Sequence, residues 1–159
     1  MDRALKETGL TLLELLIVLA AVGIILGISV PIYRNWMKKV SIENDTKLIF
    51  SVLVEAKARS FSEKRICGVF INGKKVCLRC DTDSDDEVDD ETEDLKSFLL
   101  KNSFAKNFSY VKFDKDGIAN ITGTVYSEDT SVEPAYSCVK ISKTRIKMGR
   151  WDGSECQAR

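Results

Sequence analysis

The chain has 159 residues, of which 24 are basic, 24 acidic and none histidine. Without an imidazole, Ser-His-Asp triads, histidine general bases and histidine-ligated metals are excluded. The neutral sum conceals an asymmetry: residues 81–94 hold ten acidic side chains and no basic one, so the rest of the chain carries 24 basic against 14 acidic residues.

The first element is an apolar run over residues 10–33 that contains one charge, Glu14. As a helix it would cover roughly 36 Å, enough to cross a hydrocarbon core of about 30 Å. It is too long for the apolar region of a secretory signal, and no small-x-small cleavage site follows it. The run is therefore expected to span a membrane. A carboxylate at that depth is costly without a partner, and no basic residue lies inside the run. The expected partner of Glu14 is a cation on another molecule, or one created by processing, which points to assembly. Pro31 lacks a backbone N–H and is expected to bend or loosen the helix near the membrane exit.

Residues 41–64 keep helical spacing, with Ile42, Ile49, Val52, Leu53 and Ala56 on one face. This predicts that the membrane helix continues as a spine packed on a sheet. Residues 66–79 read as a hairpin turning at Asn72-Gly73. The acidic stretch 81–94 is expected to be an exposed loop that cannot pack. Residues 94–101 suggest a short helix with Leu95, Phe98 and Leu99 facing inward. Strands are predicted over 108–113, 118–126, 135–142 and 144–148, with a turn at 114–117 and a tail from Gly149 that carries Trp151 and Cys156. The predicted fold class is α+β, one long N-terminal helix on a mostly antiparallel β-sheet domain.

All five cysteines, Cys67, Cys77, Cys80, Cys138 and Cys156, lie beyond the span and read as disulfide partners in an oxidising compartment. Their odd number leaves at least one free or intermolecular. A Cys138–Cys156 bridge would close a loop of about 19 residues and add about 3 kcal/mol. Cys67 can pair with Cys77 or Cys80. A tight Asn72-Gly73 turn puts Cys67 and Cys77 on opposite faces, whereas a four-residue loop from Asn72 to Lys75 puts Cys67 opposite Cys80; the register stays open. A redox or zinc role for Cys77-x-x-Cys80, with Cys67 and Cys138, is the lesser alternative. Asp81, Asp83 and Asp85 resemble the start of a calcium loop. The sixth and twelfth places, which need Gly and Glu, hold Asp86 and Thr92. A solvated acidic loop is therefore preferred to calcium, and no metal is assigned.

Lys140, Lys143, Arg145, Lys147 and Arg150 form a basic cluster near the C-terminus. If 144–148 is a strand, Arg145 and Lys147 share a face, with Lys143 beside them and Trp151 close by. Cations with an aromatic are suited to gripping a nucleic-acid backbone. The alternatives are a solvated sheet face, or attraction to the acidic stretch of the same or a neighbouring chain.

Gly9-Leu10-Thr11-Leu12-Leu13-Glu14-Leu15-Leu16-Ile17-Val18 resembles the processing motif of type IV pilins and type II secretion pseudopilins. The resemblance implies that a prepilin peptidase cuts between Gly9 and Leu10 and methylates the new N-terminus. Glu14 then becomes the fifth mature residue and meets the N-terminal amine of a neighbouring subunit. Pro31 falls where the family commonly carries a helix-kinking proline. Leu10 stands where Phe is usual, and the leader, usually positive, balances Arg3 and Lys6 against Asp2 and Glu7.

Within the family, Val54-Glu55-Ala56-Lys57-Ala58-Arg59-Ser60 resembles the helix end of GspH/FimT-type minor pilins. Residues 113–117, Gly123-Thr124 and residues 138–142 resemble their later strands. Thr144-Arg145-Ile146-Lys147 with Cys156 resembles their Gly-Arg-x-Arg ending and terminal cysteine, with Thr and Lys at two of the motif's places. The implied organisation is a leader (1–9), a transmembrane helix (10–33), its periplasmic continuation (34–64) and a β-rich pilin domain (65–159). The implied role is a minor pilin or pseudopilin subunit of a type II secretion or type IV pilus machine, without enzymatic activity or cofactor. It would sit single-pass in a bacterial inner membrane. Its partners would be the prepilin peptidase, other pilin subunits and membrane lipid. The alternative is a minor pilin that binds DNA during natural transformation, through Lys143, Arg145 and Lys147.

Overall fold

The computed structural model describes residues 11–82, 88 and 94–158. The chain divides into two compact units, Met1–Met37 and Lys38–Arg159. One helix, α1 (Leu12–Glu63), contains Pro31, at which the Gly27 carbonyl loses its i+4 donor.

In the first unit every described residue from Thr11 to Met37 is exposed. Leu12 to Tyr33 presents leucine, isoleucine and valine all round the helix, the pattern of a segment whose solvent is lipid rather than water. Among the described residues, α1 is the helix long and apolar enough to cross a membrane.

In the second unit α1 becomes amphipathic. Ile42, Asp45, Thr46, Ile49, Val52, Leu53, Ala56 and Ser60 are buried. They recur at three- and four-residue intervals, which places them along one stripe. The two polar members nearest the start are satisfied. Thr46 Oγ1 donates to the Ile42 carbonyl at 2.8 Å. Asp45 Oδ2 accepts from both the backbone N–H and the Nδ2 of Asn102, each at 2.8 Å. Buried polar groups hold their place only when paired in this way.

The stripe packs on a seven-stranded antiparallel sheet: β1 (Cys67–Cys80), β2 (Asp94–Lys106), β3 (Val111–Phe113), β4 (Gly123–Ser127), β5 (Cys138–Ile141), β6 (Ile146–Trp151) and β7 (Cys156–Ala158). The strand order is β3-β1-β2-β4-β5-β6-β7. Strand alternation sends Val69, Ile71, Val76, Leu78, Leu100, Phe104, Val111, Phe113, Val125, Val139 and Ile141 into one core with the helix stripe.

β1 reverses within itself. Fourteen extended residues would span roughly 45 Å, yet the Cα atoms of Cys67 and Cys80 lie 4.0 Å apart and are joined by a disulfide. The Asp81 N–H donates to the Ile66 carbonyl at 2.9 Å. Cys67 thus faces Cys80, the register of the four-residue connection 72–75 rather than of a tight Asn72-Gly73 turn. Gly73 makes the reversal at φ 58°, a backbone region that favours glycine. The outgoing arm pairs with β3 and the returning arm with β2.

Several expectations are corrected. Residues 94–101 are strand, not helix, because they pair with the returning arm of β1. Their side chains alternate: Phe98 and Leu100 pack toward the core, while Leu95 and Leu99 are exposed, Leu99 at 80%. Strand β3 is shorter than the predicted 108–113, β4 starts at Gly123, and Phe113 meets Ala119 in an isolated bridge. The tail from Gly149 is divided: residues 149–151 end β6 and Cys156–Ala158 form β7, and a second disulfide joins Cys138 to Cys156. Gly149 pairs with Cys138 on one side and Ala158 on the other. A Cβ there would meet the Gln157 carbonyl oxygen at 2.4 Å, so the close approach of β7 requires glycine.

Two outcomes follow from this packing. Leu53 is fully buried on the stripe. Leu53→Ala is expected to cost about 3 kcal/mol, read by denaturant titration of the chain in detergent. Asp129 is held by Lys38 Nζ at 2.5 Å, and accepts from the N–H and Oγ of Ser131 at 3.0 and 2.7 Å. These contacts, Lys38 first, lower its carboxyl from 3.8 to about 2. A depressed carboxyl stabilises the fold above its unfolded value and loses that contribution as pH falls. Stability is therefore expected to fall from about pH 4 through pH 2. Asp129→Asn flattens that limb and costs about 1 kcal/mol or less at neutral pH, since the pair is partly exposed.

Candidate functional sites

Glu14 lies in the first turn of α1. Its Oε2 accepts from the Thr11 N–H at 3.4 Å, and its own N–H donates to Thr11 Oγ1 at 3.3 Å. This is the reciprocal capping box that Thr-x-x-Glu encodes at a helix start. The helix N-terminus therefore supplies donors and a partial positive charge to the carboxylate. Glu14 thus has a local partner besides the expected cation on another molecule, and Thr11-x-x-Glu14 is its signal in the sequence. The contact to the carboxylate, at 3.4 Å, is longer than the 2.7–2.9 Å or so of a charge-assisted hydrogen bond, so the carboxylate keeps capacity for a further donor. Gly9 and Leu10 lie outside the described residues.

The basic cluster is built on the β5–β6 connection. Ile141 pairs with Ile146, and the Ser142 N–H donates to the Arg145 carbonyl at 2.8 Å. Arg145 therefore sits in the turn, one residue before β6, rather than within a strand beginning at Thr144. Lys140 and Lys147 are cross-strand partners. Two of the five cations are committed: Lys140 to Glu155 at 2.9 Å and Arg150 to Glu133 at 2.5 Å. Lys143, Arg145 and Lys147 are exposed and make no ion pair among the described residues. Trp151 does not join them. It ends β6, roughly 20 Å along the strand direction from Arg145, and its ring stacks on Tyr126 at 4.0 Å.

A groove of about 410 Å³ lies between α1 and this connection, lined by Val54, Lys57 and residues 144–147. Lys57 Nζ donates to the Thr144 carbonyl at 2.5 Å, which ties the turn to the helix. On the other flank Lys96 bonds Glu55 at 2.7 Å, and Lys96, with Arg59, holds the Glu55 carboxyl below its usual range.

The cysteines leave no thiolate set for zinc. Cys67, Cys80 and Cys138 are in disulfides, and Cys77 is free and buried. Burial pushes the Cys77 thiol up, and the charge of Asp94 adds to the effect. The acidic stretch is anchored where it is described. Asp81 and Val88 are buried, and Val88 Cγ2 lies 3.0 Å from where a Cβ on Gly68 would stand. Asp94 accepts from Arg79 Nε at 2.6 Å, and Arg79 lies 4.4 Å over the Phe70 ring. The expectation that this stretch cannot pack therefore fails at those three residues. Asp83 and Asp85 lie outside the described residues. Among the described residues, no group of three or more Cys, Asp or Glu is placed to hold a metal ion.

No protein-family model matches the sequence, and no curated protein matches it. Solved structures do match. The type IV minor pilin FimU of Pseudomonas aeruginosa superposes with a TM-score of 0.56 at 12% identity, over 77% of this chain and 98% of that one. A second crystal form of FimU gives 0.53 at 12% identity, over 73% and 98%. The minor pseudopilin EpsH of the Vibrio cholerae type 2 secretion system gives 0.51 at 10% identity, over 72% and 99%. The chain has the pilin-like fold, one long N-terminal helix packed on an antiparallel sheet, that these minor pilins and pseudopilins share.

Proposed function

We propose that the chain is a membrane-anchored minor pilin or pseudopilin, a non-catalytic subunit added to a filament of a type II secretion or type IV pilus machine. One observation carries this reading: a lone carboxylate, Glu14, stands in the first turn of an all-round apolar helix that leads into a pilin-like domain. In this reading the prepilin peptidase removes residues 1–9, and Leu10 becomes the methylated N-terminus. The new ammonium is the further donor that Glu14 can accept, supplied by the neighbouring subunit inside the bilayer, where charge pairing is worth most. Pro31 loosens α1 near the lipid exit, and the β-rich domain faces the periplasm.

A hydrogen bond to a charged group contributes about 1.5–3 kcal/mol. Glu14→Ala is therefore expected to lower filament incorporation about 10- to 100-fold, measured by co-purification with partner pilins. Membrane insertion and both disulfides stay intact. Unchanged incorporation would sink the reading.

A second reading rests on the uncommitted Lys143, Arg145 and Lys147, which suit a DNA backbone and a role in DNA uptake. It predicts salt-dependent binding of duplex DNA by the whole chain in detergent. Arg145→Ala with Lys147→Ala should then reduce the log–log salt slope by about two. A slope that both variants leave unchanged, or no binding at low salt, excludes it.

A further inference from the structure

We infer that the groove between α1 and the β5–β6 connection receives the acidic segment 81–94 of a second copy of this chain. The inference rests on the subunit reading above and goes beyond it by naming a domain-to-domain contact.

The groove has an apolar floor and a cationic rim. Val54 is 41% exposed at its base, and Ile146 is half-buried beside it. Lys57, Arg145 and Lys147 line it, with Lys143 on the same turn. None of these four cations has an ion pair among the described residues. Such a surface fits an extended segment dense in carboxylates.

The chain carries that segment. Ten of the fourteen residues in 81–94 are acidic, and the rest of the chain has a surplus of ten positive charges. In its own chain the segment is described only at its ends and at Val88. There it is anchored at β1 and the residue before it: Asp81 through Ile66, Val88 against Gly68, and Asp94 on Arg79. The groove is lined instead by α1 and residues 144–147. The groove's cations have no ion pair among the described residues, and the segment is their complement in charge, so the occupant is the segment of a second copy. The carboxylates of this segment attract the groove's cations and repel nucleic acid, so the acidic segment is favoured over DNA as occupant.

The two surfaces differ, so the contact is heterologous. A heterologous contact propagates unless its rotation closes a ring. It adds polarity to an assembly in which α1 supplies the membrane contact, and it weakens as salt screens it.

The test mixes equal amounts of unlabelled and 15N-labelled full chain in detergent micelles. A zero-length carbodiimide then joins amines to carboxylates, and mass spectrometry reads the linked peptides. The expected result is links from Lys57, Lys143 or Lys147 to segment 81–94, about half of them between light and heavy chains. They should fall severalfold in 0.5 M salt. They should disappear in Lys57→Glu with Arg145→Glu, where Lys143 and Lys147 remain to react, and return when Asp85→Lys and Asp86→Lys are mixed in on the other copy. Links confined to single chains, or indifferent to charge reversal, overturn the inference. So does occupation of the groove by an added duplex oligonucleotide with no segment links. Light–heavy links along α1 with none at the groove overturn this contact alone and leave the subunit reading standing. Loss of all light–heavy links counts against both.

Discussion

One helix carries two patterns, apolar all round and then apolar along one stripe, and the rest of the structure follows from that change. From Leu12 to Tyr33, α1 exposes apolar side chains on every side, the pattern of a helix fit to face lipid or other helices. From Ile42 to Ser60 it narrows its buried residues to one stripe. A single sheet has one face to bury and needs another element to cover it. The stripe supplies that cover, and the inward positions of every strand from β1 to β5 contribute to the same core. The sheet's other face is free to carry charge, which is where Lys140 and Lys147 lie as cross-strand partners.

Polar contacts fix how the sheet is fitted to the stripe. Apolar packing is non-directional, so a helix could slide along a sheet by a turn at small cost. Asp45 prevents this by accepting two bonds from Asn102, whose Nδ2 also lies 3.0 Å from Ser41 Oγ. An Asp45 displaced by one turn would leave a buried carboxylate unpaired, which costs more than the packing gained. Lys96 with Glu55 and Lys57 with the Thr144 carbonyl hold the two flanks. The disulfides act where the ladder is weakest: one closes the reversal of β1, and the other ties the short terminal strand β7 to β5.

Much of this is legible in the residues because it depends on local spacing. The stripe is a 3.6-residue pattern, the apolar run is a length, and Glu14 is an exception inside it. Residues 94–101 mislead because Leu95, Phe98 and Leu99 fall at helical intervals. The deciding influence is a long-range partner, the returning arm of β1, which converts the segment to a period of two. The position of Arg145 misleads for a related reason. A hairpin turn takes its residues from the strands beside it, and only the pairing of Ile141 with Ile146 shows that Arg145 belongs to the turn. Trp151 is near Arg145 in sequence, but an extended strand separates neighbours by more than three ångströms per residue. Glu14 is legible twice over, as a membrane carboxylate and as the fourth residue of a capping box, and the first reading hides the second.

The proposed subunit would thus make its two kinds of contact in different media. Glu14 acts in the lowest dielectric available, where a pair is strong, short-ranged and insensitive to salt. The groove and the acidic segment act in water, where charge steers from a Debye length away and each pair is weak. Steering can align a domain before the helices meet, but cannot by itself hold it. Pairing in the bilayer can hold a helix, but cannot select which domain arrives. A chain with no net charge and ten charges of each sign set apart is suited to this division of labour. Its neutrality limits repulsion between like copies, while the separation gives each copy a direction along which the next can be placed.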